Sequence, residues 1–262
     1  MTRLLLAVVL GVLASPASAA SVVTLVPAFA EQVPGVAGSI WQSEIRVFNS
    51  SDESQILEVV RVLPSVASSC TGFPPVVIQP RAQRQIRSLG CSGAGAAAVE
   101  LRADDAVHIT SEMTNLGATP QVECCLSGFT QIIPVRPATR AFQTLKTLPN
   151  VPLAVGASGG PRLNRVHLGF VNPNNVSITV GVRYYTSNAE PLDGPPFVTS
   201  SVVVPAQSYA QVNDALRQVQ LPITNPTFRG YFRIEAEAGL PFDVFASLVD
   251  ATTNDATIIE SR

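Results

Sequence analysis

Charged side chains are scarce in this 262-residue chain, in which Asp, Glu, Lys and Arg make up only 14% and the formal net charge is −2. No excess of Lys and Arg is available to neutralise phosphates, which argues against a nucleic-acid partner. Histidine occurs only at His108 and His167, so few side chains titrate near neutral pH. Hydrophobic residues make up 46% of the chain, which is enough for a packed core.

A sustained helical period is also missing, and the patterns that are present are typical of strands. Along Tyr231–Glu237, apolar and charged side chains alternate, as they do in a half-buried strand. Prolines and glycines interrupt the chain about every ten residues, at a spacing typical of all-β proteins. One short helical turn is predicted at Asn213–Arg217, with Asn213 as its cap, and a counterpart is expected near Ile86–Leu89.

The N-terminal residues 1–19 predict a cleaved secretory signal peptide. Arg3 precedes the apolar run Leu4–Leu13, and Ala17-Ser18-Ala19 places small residues where a signal peptidase reads them. The apolar run is shorter than the roughly 20 residues that span a bilayer. We therefore expect a secreted protein, periplasmic or extracellular, without a transmembrane anchor in its mature chain.

An internal repeat divides the rest of the chain. Ile45–Asn49 resembles Leu168–Asn172, and in both blocks an Asn opens a polar turn. Six further blocks match in the same order: Val60–Val62 with Val182–Tyr184, Val76–Pro80 with Val202–Pro205, Gln85–Ile86 with Gln211–Val212, Val99–Arg102 with Phe232–Glu235, Val107–Asn115 with Phe242–Asp250, and Gln131–Ile133 with Thr257–Ile259. The repeat predicts two tandem antiparallel β-sandwich domains, at residues 20–137 and 138–262.

All four cysteines, Cys70, Cys91, Cys124 and Cys125, fall in loops of the first copy. An even number in an exported chain predicts disulfides, and the spacing lacks the paired C-x-x-C motifs of zinc sites. A bond between the neighbours Cys124 and Cys125 needs a strained ring, so we expect each of them to bond one of the other two. Three pairings are possible, and the sequence does not choose among them.

The opening of the first copy, from Val26-Pro27-Ala28 through Pro34–Ile45 to Asn49, resembles a repeat found in many uncharacterised exported bacterial proteins, as does the ending Phe245–Ile259 of the second copy. The resemblance covers nearly all of the mature chain. It implies immunoglobulin-like or fibronectin-III-like β-sandwiches, and it brings no catalytic motif.

No reaction centre is predicted. His108 follows Asp104 and Asp105 and precedes Ser111, but the Gly-x-Ser-x-Gly nucleophile elbow is missing. A strand histidine between apolar neighbours usually faces solvent, and the same expectation applies to His167. The acids at Asp104–Asp105 and Asn254–Asp255 lack the calcium-loop pattern. We therefore expect no catalytic residue, no cofactor and no metal.

These patterns favour a secreted, non-enzymatic module that acts structurally or recognises an unknown protein or glycan. A carbohydrate-binding module is the alternative, and it requires a patch of exposed aromatic side chains. The candidates for that patch are Tyr184, Tyr185, Tyr209 and Tyr231. An enzyme that uses the cysteines or His108 is the third hypothesis.

Overall fold

A computed structural model describes residues 21–34, 40–65, 69–92, 95–116, 130–154, 164–186, 196, 198–217, 227–250 and 256–262. The predicted signal peptide, Cys124 with Cys125, and Asn254–Asp255 lie outside these ranges. The prediction of an all-β protein is confirmed, because almost every described segment is a strand in an antiparallel sheet.

In the first half of the chain, two antiparallel sheets are built from the following strands: β1 (Ser21–Glu31), β2 (Val33–Pro34), β3 (Ile40–Asn49), β4 (Gln55–Pro64), β5 (Val76–Ile78), β6 (Gln83–Ile86), β7 (Gly95–Asp104), β8 (Val107–Asn115), β9 (Thr130–Ile133) and β10 (Arg136–Pro137). One sheet has the order β10-β1-β7-β4-β5. The other has the order β2-β3-β8-β9, and β6 also pairs with β3.

The second half follows a short helix, α1 (Ala138–Ala141), and contains the following strands: β11 (Leu145–Ala154), β12 (Asn164–Asn172), β13 (Ile178–Thr186), β14 (Val198–Val204), β15 (Ser208–Val212), β16 (Thr227–Ala236), β17 (Asp243–Asp250) and β18 (Ala256–Glu260). Their sheets have the orders β11-β16-β13-β14 and β15-β12-β17-β18. Among the described residues, no helix is long and apolar enough to cross a membrane.

The two halves share one strand order. The order β1-β7-β4-β5 corresponds to β11-β16-β13-β14, and β6-β3-β8-β9 corresponds to β15-β12-β17-β18. Each pair of matched sequence blocks falls on corresponding strands. The first strand of each half has a register shift at a proline, Pro27 in β1 and Pro149 in β11, because proline has no N–H to donate to the ladder.

The chain also closes each half in the same way. Arg136 pairs with Leu25 in β1, and Arg262 exchanges two backbone hydrogen bonds, of 2.8 and 2.9 Å, with Thr147 in β11. The end of each half therefore pairs with the outer edge of its own first strand. The backbone groups of that edge are then already hydrogen-bonded and cannot pair with another chain.

The asparagines that end the first matched blocks have one structural role. Asn49 and Asn172 are fully buried at the ends of β3 and β12. Each side-chain amide donates to three backbone carbonyls, and each Oδ1 accepts a backbone N–H two residues later. A buried amide with all these partners ties the end of the strand to two neighbouring turns.

Alternating side chains fill two hydrophobic cores, as the period of two requires. The second core lies between the sheets of the second half and is centred on Phe170, Tyr184 and Phe232. The first core lies between the sheets of the first half, but it also includes Tyr209 and Phe245 from the second half. The two halves are therefore packed against each other through apolar side chains.

The predicted helical turns are wrong. Asn213–Arg217 forms hydrogen-bonded turns, in which the N–H of Arg217 donates to the carbonyl of Asp214 at 2.8 Å. Asp214 has a φ of +48°, a left-handed conformation that a right-handed helix excludes. The segment from Ile86 to Leu89 is likewise not helical.

The predicted disulfide pairing is also wrong, because Cys70 is bonded to Cys91. The two residues face each other in an isolated antiparallel bridge. The N–H of Ser92 donates to the carbonyl of Ser69 beside them at 2.8 Å. A Cβ at Gly95 would lie 2.5 Å from the Cβ of Cys91, so this position needs glycine. Backbone pairing between two distant loops, which the sequence does not reveal, selects the partners.

Candidate functional site

The outer face of the sheet β15-β12-β17-β18 turns toward the first half. In β12, Val166, Leu168 and Phe170 point into the second core. Since side chains alternate along a strand, Arg165 and His167 point to the opposite side, toward the first half. The matching outward residues of β15 and β17 are Tyr209, Gln211, Phe245, Ser247 and Val249.

Two aromatic rings anchor this face in the first core. Tyr209 and Phe245 are 5% and 4% exposed, and their rings stack with centroids 6.5 Å apart. A Cβ added to Gly169 would lie 2.3 Å from a ring atom of Phe245. Glycine in β12 therefore leaves the space in which the Phe245 ring lies across the strand.

A buried ion cluster forms a second link between the halves. Arg136 Nη2 lies 2.8 and 2.7 Å from the two carboxylate oxygens of Asp243, and Lys146 Nζ lies 3.7 Å from Asp243 Oδ1. Burial raises the pKa of the Asp243 carboxyl, against the opposing charges of Arg136 and Lys146. Burial also lowers the pKa of Lys146. Arg136 ends the first half and Asp243 begins β17, so removal of either one would leave a buried charge without its main partner.

A cavity of about 410 Å³ remains between the halves. Its wall from the first half consists of Ala28, Phe29, Ala30, Val33, Pro34, Trp41, Ser65, Ala96, Met113, Asn115, Gln131 and Ile133. Its wall from the second half consists of Arg165, His167, Tyr209, Gln211, Asn213, Phe245, Ser247 and Val249. Small and aromatic apolar side chains dominate the first wall, whereas polar groups are concentrated on the second.

A chain of hydrogen bonds runs along the polar wall. The hydroxyl of Tyr209 donates to Gln211 Oε1 at 2.9 Å, and Gln211 Nε2 donates to Asn213 Oδ1 at 2.7 Å. His167 Nδ1 lies 3.0 Å from the same Asn213 oxygen. Burial lowers the pKa of His167, with a smaller opposing effect from its hydrogen bond to Asn213. The imidazole is therefore neutral at pH 7 and offers Nε2 as a further polar group.

A hydrogen bond between side chains also crosses the cavity from one half to the other. Ser247 Oγ donates to Gln131 Oε1 at 3.4 Å. Trp41 belongs to the opposite wall, where it pairs with Val33, and it is the only tryptophan of the chain. Side chains from nine strands thus line one cavity only because the halves are packed together.

The four tyrosines proposed for a carbohydrate site do not form one patch. Tyr184 is fully buried in the second core. Its hydroxyl donates to the carbonyl of Val151 at 3.0 Å, and burial raises its pKa to about 12. Tyr185 and Tyr231 stack, with centroids 5.1 Å apart, on the other sheet. Tyr209 alone lines the cavity.

The side chains around His108 are likewise not assembled into a catalytic site. His108 is exposed and stacks on Phe48, whereas Ser111 is buried and lies on the opposite face of β8. Asp104 Oδ1 accepts the N–H of Ala106 in the turn. No group of three or more His, Cys, Asp or Glu that could hold a metal occurs among the residues that the structure describes.

His167 is the site residue whose surroundings sequence reasoning missed, since its half-buried side chain lines the cavity between the halves. A comparison of the two copies of the repeat contains a signal that could have predicted the covered position of His167. In β3 the outward positions before Asn49 carry Arg46 and Glu44, whereas in β12 the corresponding positions carry Gly169 and His167. At these two positions the charged side chains of the first copy are missing from the second, which indicates that this part of the face is covered.

Comparisons with protein-family models, with curated proteins and with solved structures found no match. The chemistry of the site therefore has to be inferred from its own residues.

Proposed function

We propose that this chain is an exported, non-enzymatic binding module that holds a small, mainly apolar ligand between its two halves. The observation that carries the proposal is the cavity of about 410 Å³ whose walls come from both halves. Its volume lies in the range of roughly 300–1,000 Å³ found for small-molecule sites, which are typically apolar with a few polar groups.

The distribution of groups in the cavity supports a ligand with an apolar body and one hydrogen-bonding group. Phe29, Ile133 and Phe245 offer a buried apolar surface. His167 and Asn213 offer polar atoms on the wall from the second half. Burial of apolar ligand surface supplies most of the affinity, and the polar groups orient the ligand.

The proposal of an exported protein draws support from the disulfide between Cys70 and Cys91, because structural disulfides persist mainly in oxidising compartments. The apolar run at 4–13 and the small residues at 17–19 are the sequence features that agree with it.

We also propose that the two halves are immunoglobulin-like domains, at residues 20–137 and 138–262. Immunoglobulin constant domains have the strand orders ABED and CFG, in which B pairs with E and C with F. The pairs β3–β6 and β4–β7 are equivalent to these two pairs. The arrangement departs from that order at three pairs, because β1 pairs with β7, β8 pairs with β3, and β5 pairs with β4.

The lone tryptophan allows a direct test of the ligand proposal. Titration of the purified mature protein with decan-1-ol, an apolar chain with one hydroxyl, is expected to shift the fluorescence of Trp41 and raise Tm, because a ligand that binds only the folded state stabilises it. Cellobiose serves as the comparison ligand. We expect no response to cellobiose, and a response to cellobiose alone would replace our proposal by the carbohydrate-binding alternative.

A matched pair of variants locates the response. Ser247→Phe places a ring in the cavity, while Thr110→Phe places the same ring at an exposed position of β8 in the first half. We expect decan-1-ol binding to be lost in Ser247→Phe and retained in Thr110→Phe. Equal binding in both variants, or none in the folded wild type, would refute a ligand site in this cavity.

A further inference from the structure

The strand β14 forms the end of its sheet, and β13 is its only partner strand in the described part of the chain. Its seven residues, Val198–Val204, contain no charge and no proline. Natural proteins protect such edges with charges, prolines, bulges or short strands, because unpaired N–H and C=O groups accept another strand. None of these protective features occurs within β14.

The side chains of β14 are also incompletely covered. Val202 and Val204 pair with Val180 and Ile178 of the second core. Ser200 has the same orientation as these two valines but is exposed, and Val202 is only half-buried. On the other face Val203 is 64% exposed. One additional strand beside β14 would cover the apolar side chains at this edge.

The corresponding edge of the first half is protected. There β5 has only three residues, Val76–Ile78. Prolines flank both edge strands: Pro74, Pro75 and Pro80 lie around β5, and Pro195, Pro196 and Pro205 lie around β14. The two edges differ in length, because β5 offers three residues to a partner and β14 offers seven. A very short edge strand is a poor template for strand addition, so β14 is the edge of the two that is long enough to pair with another strand.

We infer that β14 pairs antiparallel with β14 of a second copy of this chain and forms a two-fold symmetric dimer. A two-fold axis at Ser201 would place Thr199 opposite Val203 of the other copy and Ser200 opposite Val202. Residues with the same orientation would then face each other, so the core-facing side and the outer side of the sheet would each extend into the second copy. No like charges meet in this pairing, and the nearby Arg183 already lies 3.7 Å from Glu235 within its own chain. Isologous pairing of one edge with itself closes the assembly at two copies.

Light scattering coupled to size-exclusion chromatography tests the proposal on the full mature chain. We expect the molar mass to rise from one chain to two with increasing protein concentration. Hydrogen exchange of the amides of 198–204 is expected to slow over the same concentration range. A wild-type protein that stays monomeric at all concentrations would overturn the proposal.

Variants distinguish this edge from other surfaces. Ser200→Lys adds a charge on the core-facing side of β14, which can remain hydrated only when no strand covers it. Val77→Lys adds the same charge to the edge strand β5. We expect Ser200→Lys to be monomeric and Val77→Lys to remain dimeric. A dimer that persists in Ser200→Lys would show that another surface is used.

A second variant guards against a folding defect. Val203→Lys changes a side chain that is 64% exposed, so the monomer retains its core, and two-fold pairing would bring two added charges near the junction. We expect monomers with an unchanged circular-dichroism spectrum and an unchanged Trp41 response to decan-1-ol. A folded Val203→Lys variant that is dimeric like the wild type would contradict the inference, whatever the result for the cavity.

Discussion

Two equivalent sheet faces in this molecule have opposite surroundings. The outer face of β6-β3-β8-β9 in the first half is polar: Arg46 bonds to Glu44 at 2.6 Å and also pairs with Glu112. The equivalent face of β15-β12-β17-β18 carries Gly169 and Phe245 and is packed on the first half. One strand order thus supports either a solvated face or an interface, and the outward side chains decide which.

The charges on the first face have a consequence for assembly. Burial acts to raise the pKa of Glu44, but the hydrogen bonds and charges of Arg46 and Arg87 together outweigh it and lower that pKa, so Glu44 stays ionised. Covering this face would require desolvation of several charges. We therefore expect this face to remain uncovered rather than to pack on a further copy in the way the two halves pack on each other.

Removal of the Phe245 ring should cause the largest loss of stability among the changes that test the difference between the two faces. Phe245→Ala deletes a ring that is 4% exposed in the first core, and we expect a loss of about 3–5 kcal/mol in the free energy of unfolding. Thr110→Ala, at the equivalent exposed position, is expected to cost less than about 0.5 kcal/mol. Urea unfolding measures both, and similar losses would mean that the Phe245 face is not an interface.

A smaller loss of stability is expected when the space between β12 and the Phe245 ring is filled. Gly169→Ala places a Cβ 2.3 Å from the Phe245 ring, so the ring must move, at a cost of about 1–3 kcal/mol. Gly181→Ala is the matched control, since its Cβ would meet only a backbone oxygen at 3.7 Å. Thermal unfolding should separate the two variants, and an equal Tm would show that the ring has room to shift.

The smallest expected effect is the pH dependence contributed by His167. Its pKa is lowered by burial from 6.5 in the unfolded chain, so the unfolded state binds the proton first. The contribution of His167 to stability is then fully present above about pH 6.5 and is lost as the pH falls through the folded pKa. His167→Gln should flatten the stability profile between pH 7 and 5.

The exposed His108 provides the comparison for that measurement. His108→Gln replaces a ring that is exposed and stacks on Phe48, so its stability profile is the reference against which the slope for His167→Gln is compared. If the two variants had the same slope, the environment of His167 would be no different from that of a surface histidine.

The sequence predicted the positions of the strands, but it did not predict the cavity or the residues that line it. The matched blocks identify strands correctly because alternation and turn residues are local signals, as at Asn49 and Asn172. The partner of Cys70 and the surroundings of His167 depend on loops and strands that are distant along the chain. The predicted helical turn at Asp214 was wrong because a favourable cap residue does not prevent a left-handed conformation imposed by the surrounding contacts.

By itself the sequence determined an all-β protein made of two sets of strands in the same order, because periods of two and turn residues act over a few positions. Only the tertiary structure decided which outward face is buried, which cysteines are bonded and where a cavity remains. These features depend on how one half packs on the other, and side chains such as Phe245 and Gly169 acquire their roles only when the two halves meet.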